Sequence, residues 1–353
     1  MANFFREMVR ELADPDTHLA EDGLHSSEFT GWIDTGSYIL NAALSGTIYG
    51  GIPNNKITAF AGESATGKTF FVLGVMRQFL MDNPDAGIIY YDTEAAVTKK
   101  MMVDRGVDVS RVIVSEQSTV QGFRTHAMRT LDRYMENKDR PPMMLVLDSL
   151  GQLSTDKEVN DISEGKDARD MTRAQLIRGA FRALSLKLAK AKCPMLVTNH
   201  VGELIGSYVP MKVMGGGSGL RYAASQIVFL SKKKDREGTE VVGNIIHCKM
   251  EKSRLTKENK MVDVRLTYDR GLDRHYGLLE LAEKHDLIRK SGTRYEMADG
   301  SKVFGKSIME DPEKYFTKEV LDAIDVAAKT EFLYGTKEDK DAEDGDEIGS
   351  ESK

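Results

Sequence analysis

The chain predicts an α/β fold with a mainly parallel sheet covered on both faces. Three observations carry this. Short apolar or β-branched runs recur at Ile57–Ala61, Gly87–Tyr91, Val112–Val114, Met143–Leu147 and Met195–Thr198. Helical patterns fill some of the gaps between them, notably Gln121–Glu136 and Arg169–Lys192. Strands alternating with helices in this way build a parallel sheet with helices on each side. The composition supports a sizeable core, with 41% hydrophobic and 29% charged residues over 353 positions. No apolar run approaches the roughly 18 residues of a membrane span.

The elements follow in order. Phe4, Phe5, Met8, Val9 and Leu12 recur at helical spacing, and Pro15 stops the pattern. A glycine-marked segment, TGSYILNAALSGTIYGGIPNNK, leads into a strand, a loop over Gly62–Gly67 and an apolar helix through Phe71 and Met81. Strand-like runs close the main body near Gln226–Ser231, Val241–Met250 and Met261–Tyr268. Lys232–Lys234, followed by Asp235 and Gly238, reads as a charged hairpin turn. A smaller, mostly helical part runs from about Tyr276 to Gly335. The expected division is 1–50 for the N-terminal helix and lead-in, 51–275 for the core, 276–335 for a small C-terminal domain and 336–353 for an acidic disordered tail.

The net charge of −6 lies in that tail, where Glu338–Lys353 holds eight acidic and two basic residues. The rest balances at 47 of each sign, so it can carry a basic face without being basic overall. Cys193 and Cys248 form no CxxC, which argues for a reducing compartment and against a zinc ribbon. The N-terminus lacks a signal-peptide pattern, so a cytoplasmic protein is expected.

GESATGKT, Gly62–Thr69, fits GxxxxGK[ST] in full and lies between a strand and a helix. Its glycines let backbone N–H groups curl around phosphates at a helix N-terminus. Nucleotide contacts are expected from Gly62, Glu63, Ser64, Ala65, Thr66, Gly67, Lys68, Thr69 and Phe70. Lys68 reaches the β/γ-phosphates and Thr69 ligates Mg²⁺ in such a loop. Asp148 ends the strand of MMLVLDSLGQL, where a carboxylate holds the magnesium shell. Asp92 and Glu94 end another strand in IIYYDTEAAV, and Glu94 is the choice for the base that orients the attacking water. The long segment HVGELIGSYVPMKVMGGGSGLRYAAS, His200–Ser225, has little that packs; such loops are usually functional or disordered.

Taken in order, IDTGSYILNAAL, GESATGKT, YYDTEAAV, LVLDSLGQL, VTNH, VMGGGSGLRYAAS and YGLLELAEKHDLIRKSG resemble the RecA family of recombination ATPases, more closely the UvsX-type recombinases of large tailed phages. The resemblance covers about residues 30–300. It implies a RecA-like P-loop core, a short polymerisation helix and a small α+β C-terminal domain. It also implies an ATP- and Mg²⁺-dependent filament on single-stranded DNA that pairs with homologous duplex and exchanges strands. Mediator and single-strand-binding proteins are the accessory partners it suggests; no membrane is expected.

By position, Glu94 matches the catalytic glutamate and Asp148 the Walker B aspartate. Asn199 and His200 match the γ-phosphate sensor, where bacterial members usually carry glutamine at the place of His200. The glycine segment matches the second DNA loop, with Lys212, Val213, Met214, Gly215, Gly216 and Arg221 as candidate contacts. STDKEVNDISEGKDARD matches the first DNA loop, with Arg169 the candidate. Arg169–Lys192 holds seven basic residues and one acidic one, with Met171, Ala174, Ile177, Phe181, Leu184 and Leu188 as its expected buried stripe. Lys252 and Arg254 match residues that reach the neighbour's ATP, and Phe4, Phe5 and Met8 belong to the expected polymerisation helix. A ring helicase of the same superfamily or a P-loop phosphotransferase are the alternatives.

Overall fold

The computed structural model describes residues 2–14, 16–23, 28, 31–166, 170–203, 212–268, 271–297 and 300–335. In chain order the first half runs α1 (Ala2–Leu12), β1 (Trp32–Ile33), α2 (Tyr38–Ser45), β2 (Ile52–Pro53), β3 (Ile57–Gly62), α3 (Lys68–Asp82), β4 (Gly87–Asp92), α4 (Lys99–Asp104), β5 (Val112–Glu116), α5 (Val120–Glu136), β6 (Met143–Asp148), α6 (Asp156–Ser163), α7 (Arg173–Ala191) and β7 (Met195–Glu203). Then come β8 (Lys212–Met214), α8 (Gly219–Ala223), β9 (Gln226–Glu237), β10 (Glu240–Ser253), β11 (Met261–Thr267), β12 (Gly271–Leu272) and α9 (Leu278–Lys284). A small lobe follows with β13 (Arg289–Ser291), β14 (Arg294–Glu296), β15 (Lys302–Phe304), α10 (Gly305–Glu310), α11 (Pro312–Tyr315) and α12 (Lys318–Phe332).

The main sheet has the order β12-β11-β10-β9-β3-β7-β6-β4-β5, with β8 added to β7. Strands β9, β3, β7, β6, β4 and β5 pair in parallel, and β9 to β12 pair antiparallel. Strands β3 and β6 are buried along their whole length, as strands covered on both faces must be. Their side chains alternate between two clusters. Phe60, Tyr90 and Val146 face α2, α3 and the C-terminal helices. Ala59, Tyr91 and Leu147 face α5 and α7. Residues after 276, including Ile324, Ala328 and Phe332, share the first cluster with α2 and β10.

Two expectations fail here. Lys232–Lys234 is not a turn: it lies inside the long strand β9, with the reversal at Gly238, because β9 keeps pairing with β10 past the end of β3. The buried stripe of the basic helix begins later than expected. Met171 precedes α7 and is 87% exposed, and Ala174 in its first turn is exposed; burial starts at Ile177. The described part of the smaller lobe also contains a three-stranded sheet, β13-β14-β15, besides its helices. Helix α1 contributes no residue to either cluster, and Phe4, Phe5, Met8 and Leu12 are all exposed.

Candidate nucleotide site and adjoining loops

Parallel pairing brings four strand ends together. Gly62 of β3 sits beside His200 of β7, and Asp148 of β6 beside Asp92 of β4. The connection from β3 to β4 crosses over β7 and β6, so a crevice opens at the carboxyl ends, where ligands of open α/β sheets bind.

The phosphate loop is shaped by its own backbone. Gly67 has φ +93 and starts α3. At Gly62 a Cβ would stand 2.8 Å from the Leu230 carbonyl oxygen, so only glycine fits. Lys68 Nζ donates to the carbonyls of Gly62 at 3.0 Å and Glu63 at 2.8 Å. Burial lowers its pKa, while Glu94 and Asp148 oppose the shift. The Phe70 ring packs against the first cluster and lies under the guanidinium of Arg105 at 4.0 Å.

Thr69 Oγ1 donates to Asp148 Oδ2 at 2.9 Å, leaving its lone pairs open. Tyr90 donates to the same oxygen at 2.8 Å, and Thr198 to Oδ1. An all-oxygen pair of one hydroxyl and one carboxylate suits Mg²⁺, which keeps several waters and takes its other oxygens from phosphates. With three hydroxyls already on Asp148, its fit is to the water shell of the ion.

Glu94 Oε1 accepts from Ser149 Oγ and lies 3.0 Å from His200 Nε2. Burial pushes its pKa up, but the bonds from Ser149 and His200 and the charge of Lys68 outweigh that, so it is lowered. An ionised carboxylate at the strand end is what a water-orienting base requires. Asp92, by contrast, is used locally: its Oδ1 accepts from the Glu94 and Ala95 N–H groups. Asn199 is fully buried and donates to the Gly215 carbonyl at 2.9 Å. Consecutive residues of β7 therefore touch Glu94 and the glycine segment.

That segment is not structureless where it is described. β8 pairs with β7, Val201 opposite Met214 and Gly202 opposite Val213, so it returns as a hairpin. Residues 204–211 lie outside the described residues. The glycines beyond β8 serve packing. A Cβ on Gly217 would stand 2.9 Å from the Ala174 side chain, and one on Gly219 would stand 2.7 Å from Arg178 backbone. Lys212 pairs with Glu63 of the phosphate loop at 2.7 Å, Val213 is exposed, and Met214 packs on the cluster under α7. Arg221 pairs with Glu251 at 3.1 Å.

The stretch expected as the first loop forms α6, closed by a capping box between Thr155 and Glu158. Arg169 lies outside the described residues. Lys252 Nζ donates to the Arg221 and Ala224 carbonyls at 2.6 and 2.8 Å, and Arg254 to that of Tyr222 at 3.1 Å. Both cations thus converge on the carboxyl end of α8. Burial, then the charges of Arg254 and Arg221, lower the Lys252 pKa to about 8.

Sequence reasoning missed Tyr90, Thr198 and Ser149, which hold the two carboxylates. Tyr90 lies on the α3 face of β4, and nothing in one strand reveals its partner on another.

A GxxxxGK[ST] loop after β3 and the carboxylates of Asp148 and Glu94 after β6 and β4 form the layout of a P-loop nucleotide site. Residues 21–273 match the RecA N-terminal domain, and the chain belongs to the RecA family. It is 31% identical over 252 residues to the recombination and repair protein of Enterobacteria phage T4, covering 71% of this chain and 63% of that protein, less than two thirds of its length. It is 25% identical over 320 residues to protein RecA of Streptomyces rimosus, covering 88% and 82%. Protein RecA of Lactiplantibacillus pentosus is also 25% identical, over 323 residues, covering 91% and 81%. Among the described residues no helix is long and apolar enough to cross a membrane.

Proposed function

We propose that the protein is a DNA-dependent ATPase that forms helical filaments on single-stranded DNA and carries out homologous pairing and strand exchange in recombination and repair. The observation that carries this is the link through β7. His200 holds Glu94, and Asn199 next to it holds Gly215. A strand laid on the hairpin would thereby alter the end of β7 that positions the base.

In this reading ATP binds over Gly62–Thr69 with its γ-phosphate near Glu94. Thr69 and Asp148 would hold Mg²⁺, which would neutralise phosphate charge. Glu94 orients water, and Ser149 and His200 fix its rotamer. Lys252 and Arg254 of one subunit reach the ATP of the next, so turnover depends on assembly. Lys212 and Val213 of the hairpin and Arg221 of α8 are the exposed DNA candidates. The exposed face of Phe4, Phe5 and Met8 is covered by a neighbouring subunit. The small lobe after residue 276 works packed against α2 and β10, and the protein works in the cytoplasm.

The test is ATP hydrolysis with and without single-stranded DNA, in samples imaged for filaments. Stimulation together with filaments is expected. Unstimulated turnover without filaments would return the P-loop phosphotransferase reading.

A further inference from the structure

Lys252 is among the last residues of β10 and Arg254 opens the turn that joins β10 to β11, and that turn is tied down at three places. At one end the two cations bind the carboxyl end of α8. In the middle Thr256 Oγ1 donates to the Ala43 carbonyl of α2 at 2.7 Å. At the far end the turn seats on α12. Lys257 N donates to the Phe332 carbonyl at 2.8 Å, and its Nζ donates to the carbonyls of Thr330 at 2.9 Å and Glu331 at 3.2 Å. A cation on the last carbonyls of a helix is the favourable polarity. Lys260 closes the turn with a 2.5 Å ion pair to Glu331, which also holds Lys284 at 2.8 Å.

Glu331 keeps this grip at any working pH. Burial raises its pKa, but the hydrogen bonds and charges of Lys260 and Lys284 bring it down to about 2.

We infer that Lys257 and Glu331 are positioning residues for the cations that act on the neighbour's ATP: they clamp the β10–β11 turn to the carboxyl end of α12 and so fix where Lys252 and Arg254 are presented. This rests on the proposed role of that pair between subunits. A turn held only at α8 and α2 would present the cations more loosely, and misplacement of about 1 Å at a reacting centre costs up to about a hundredfold.

The test uses mixed assemblies of the full chain. Lys257→Ala and Glu331→Gln should each lower DNA-stimulated hydrolysis about tenfold, a mid-range cost for lost positioning. Lys257→Arg, which keeps a cation on the helix end, should restore most of it. Glu94→Gln is dead at its own ATP but keeps an intact turn. Mixed in equal amounts with Lys257→Ala, it should raise turnover to roughly a quarter of wild type, because one interface in four then pairs a working site with a working turn in a head-to-tail assembly. Wild-type turnover by Lys257→Ala, or a loss that mixing does not relieve, overturns the inference. The Lys252→Ala/Arg254→Ala double variant mixed with Glu94→Gln separates the two readings. If that mixture recovers and the Lys257→Ala mixture does not, only the clamp is wrong. If the double-variant mixture does not recover, the role between subunits fails and the clamp with it.

Discussion

Two glycine-rich stretches meet at this site, and their glycines do different work. In Gly62–Thr69 they shape a cradle. Gly67 takes a left-handed φ that other residues rarely adopt, and Gly62 lies against the Leu230 carbonyl. In Gly215–Gly219 they mostly let α8 sit close to α7. Gly217 meets Ala174 and Gly219 meets Arg178, while Gly215 has nothing nearer than 3.8 Å. A cradle is open to a ligand; a packed joint transmits movement. The joint is sandwiched between the hairpin and the carbonyls held by Lys252 and Arg254, which suits a coupling element better than a surface.

The largest effect belongs to the cradle side. Glu94→Gln keeps the shape and the contacts with Ser149 and His200 but removes the charge. We expect ATP binding to stay within a few-fold, and turnover to fall by about 10²–10⁴. Nucleotide binding by fluorescence beside phosphate release reads both numbers. Normal hydrolysis by this variant would sink the assignment of the base.

The next effect breaks the joint. Gly219→Ala places a methyl 2.7 Å from Arg178 backbone, which cannot swing aside as a side chain can. Overpacking of this kind costs about 1–3 kcal/mol. Thermal unfolding should report that loss, and DNA stimulation should fall while unstimulated turnover holds. Gly215→Ala, in ordinary contact only, should change stability by no more than about 0.5 kcal/mol. Equal behaviour of the two variants would erase the distinction drawn between packed and open glycines.

This contrast also marks what was legible beforehand. The cradle could be read because its motif is local: eight consecutive residues between a strand and a helix. The strands could be read because burial on both faces leaves nearly unbroken apolar runs such as Met143–Leu147. The joint could not be read, since Gly219 has its reason in Arg178, on another helix. The long strand β9 was misread for the same kind of cause. Lys232–Lys234 looks like a turn when viewed alone, and becomes a strand only because β10 pairs with it. Met171 looked buried because the helical period was extended past the real start of α7 at Arg173. Local chemistry was visible in sequence, and partners brought by topology were not.

A smaller effect concerns the far side of the joint. Burial and the charges of Arg254 and Arg221, opposed by Glu258, lower the Lys252 pKa to about 8. The sign follows directly. Below pH 8 it is cationic and able to stabilise phosphate; as pH rises through about 8 the unengaged lysine loses its charge. DNA-stimulated hydrolysis should therefore decline by a few-fold between about pH 7.5 and 9, the span over which a group of pKa near 8 titrates. Lys252→Arg, always charged, should flatten that decline even if its peak rate is lower. A profile unchanged by the substitution assigns the decline to another group.

The smallest effect tests whether the hairpin and the cradle are joined directly. Lys212 and Glu63 form an exposed pair at 2.7 Å, with side chains 48% and 62% accessible. Such pairs are worth about 0–1 kcal/mol, so Lys212→Ala should hardly move the unfolding temperature. Its consequence should appear in DNA binding instead. If Lys212 leaves Glu63 to neutralise a phosphate, the slope of log affinity against log salt should fall by roughly 0.7 for a single strand. A lysine that stays on Glu63 releases no counterion, and the slope is then unchanged. Glu63→Gln sharpens the choice. Freed from its partner, Lys212 should bind DNA more tightly in the first case, and the gain should vanish in the double variant. Tighter binding that survives removal of Lys212 would come from lost repulsion by Glu63 alone.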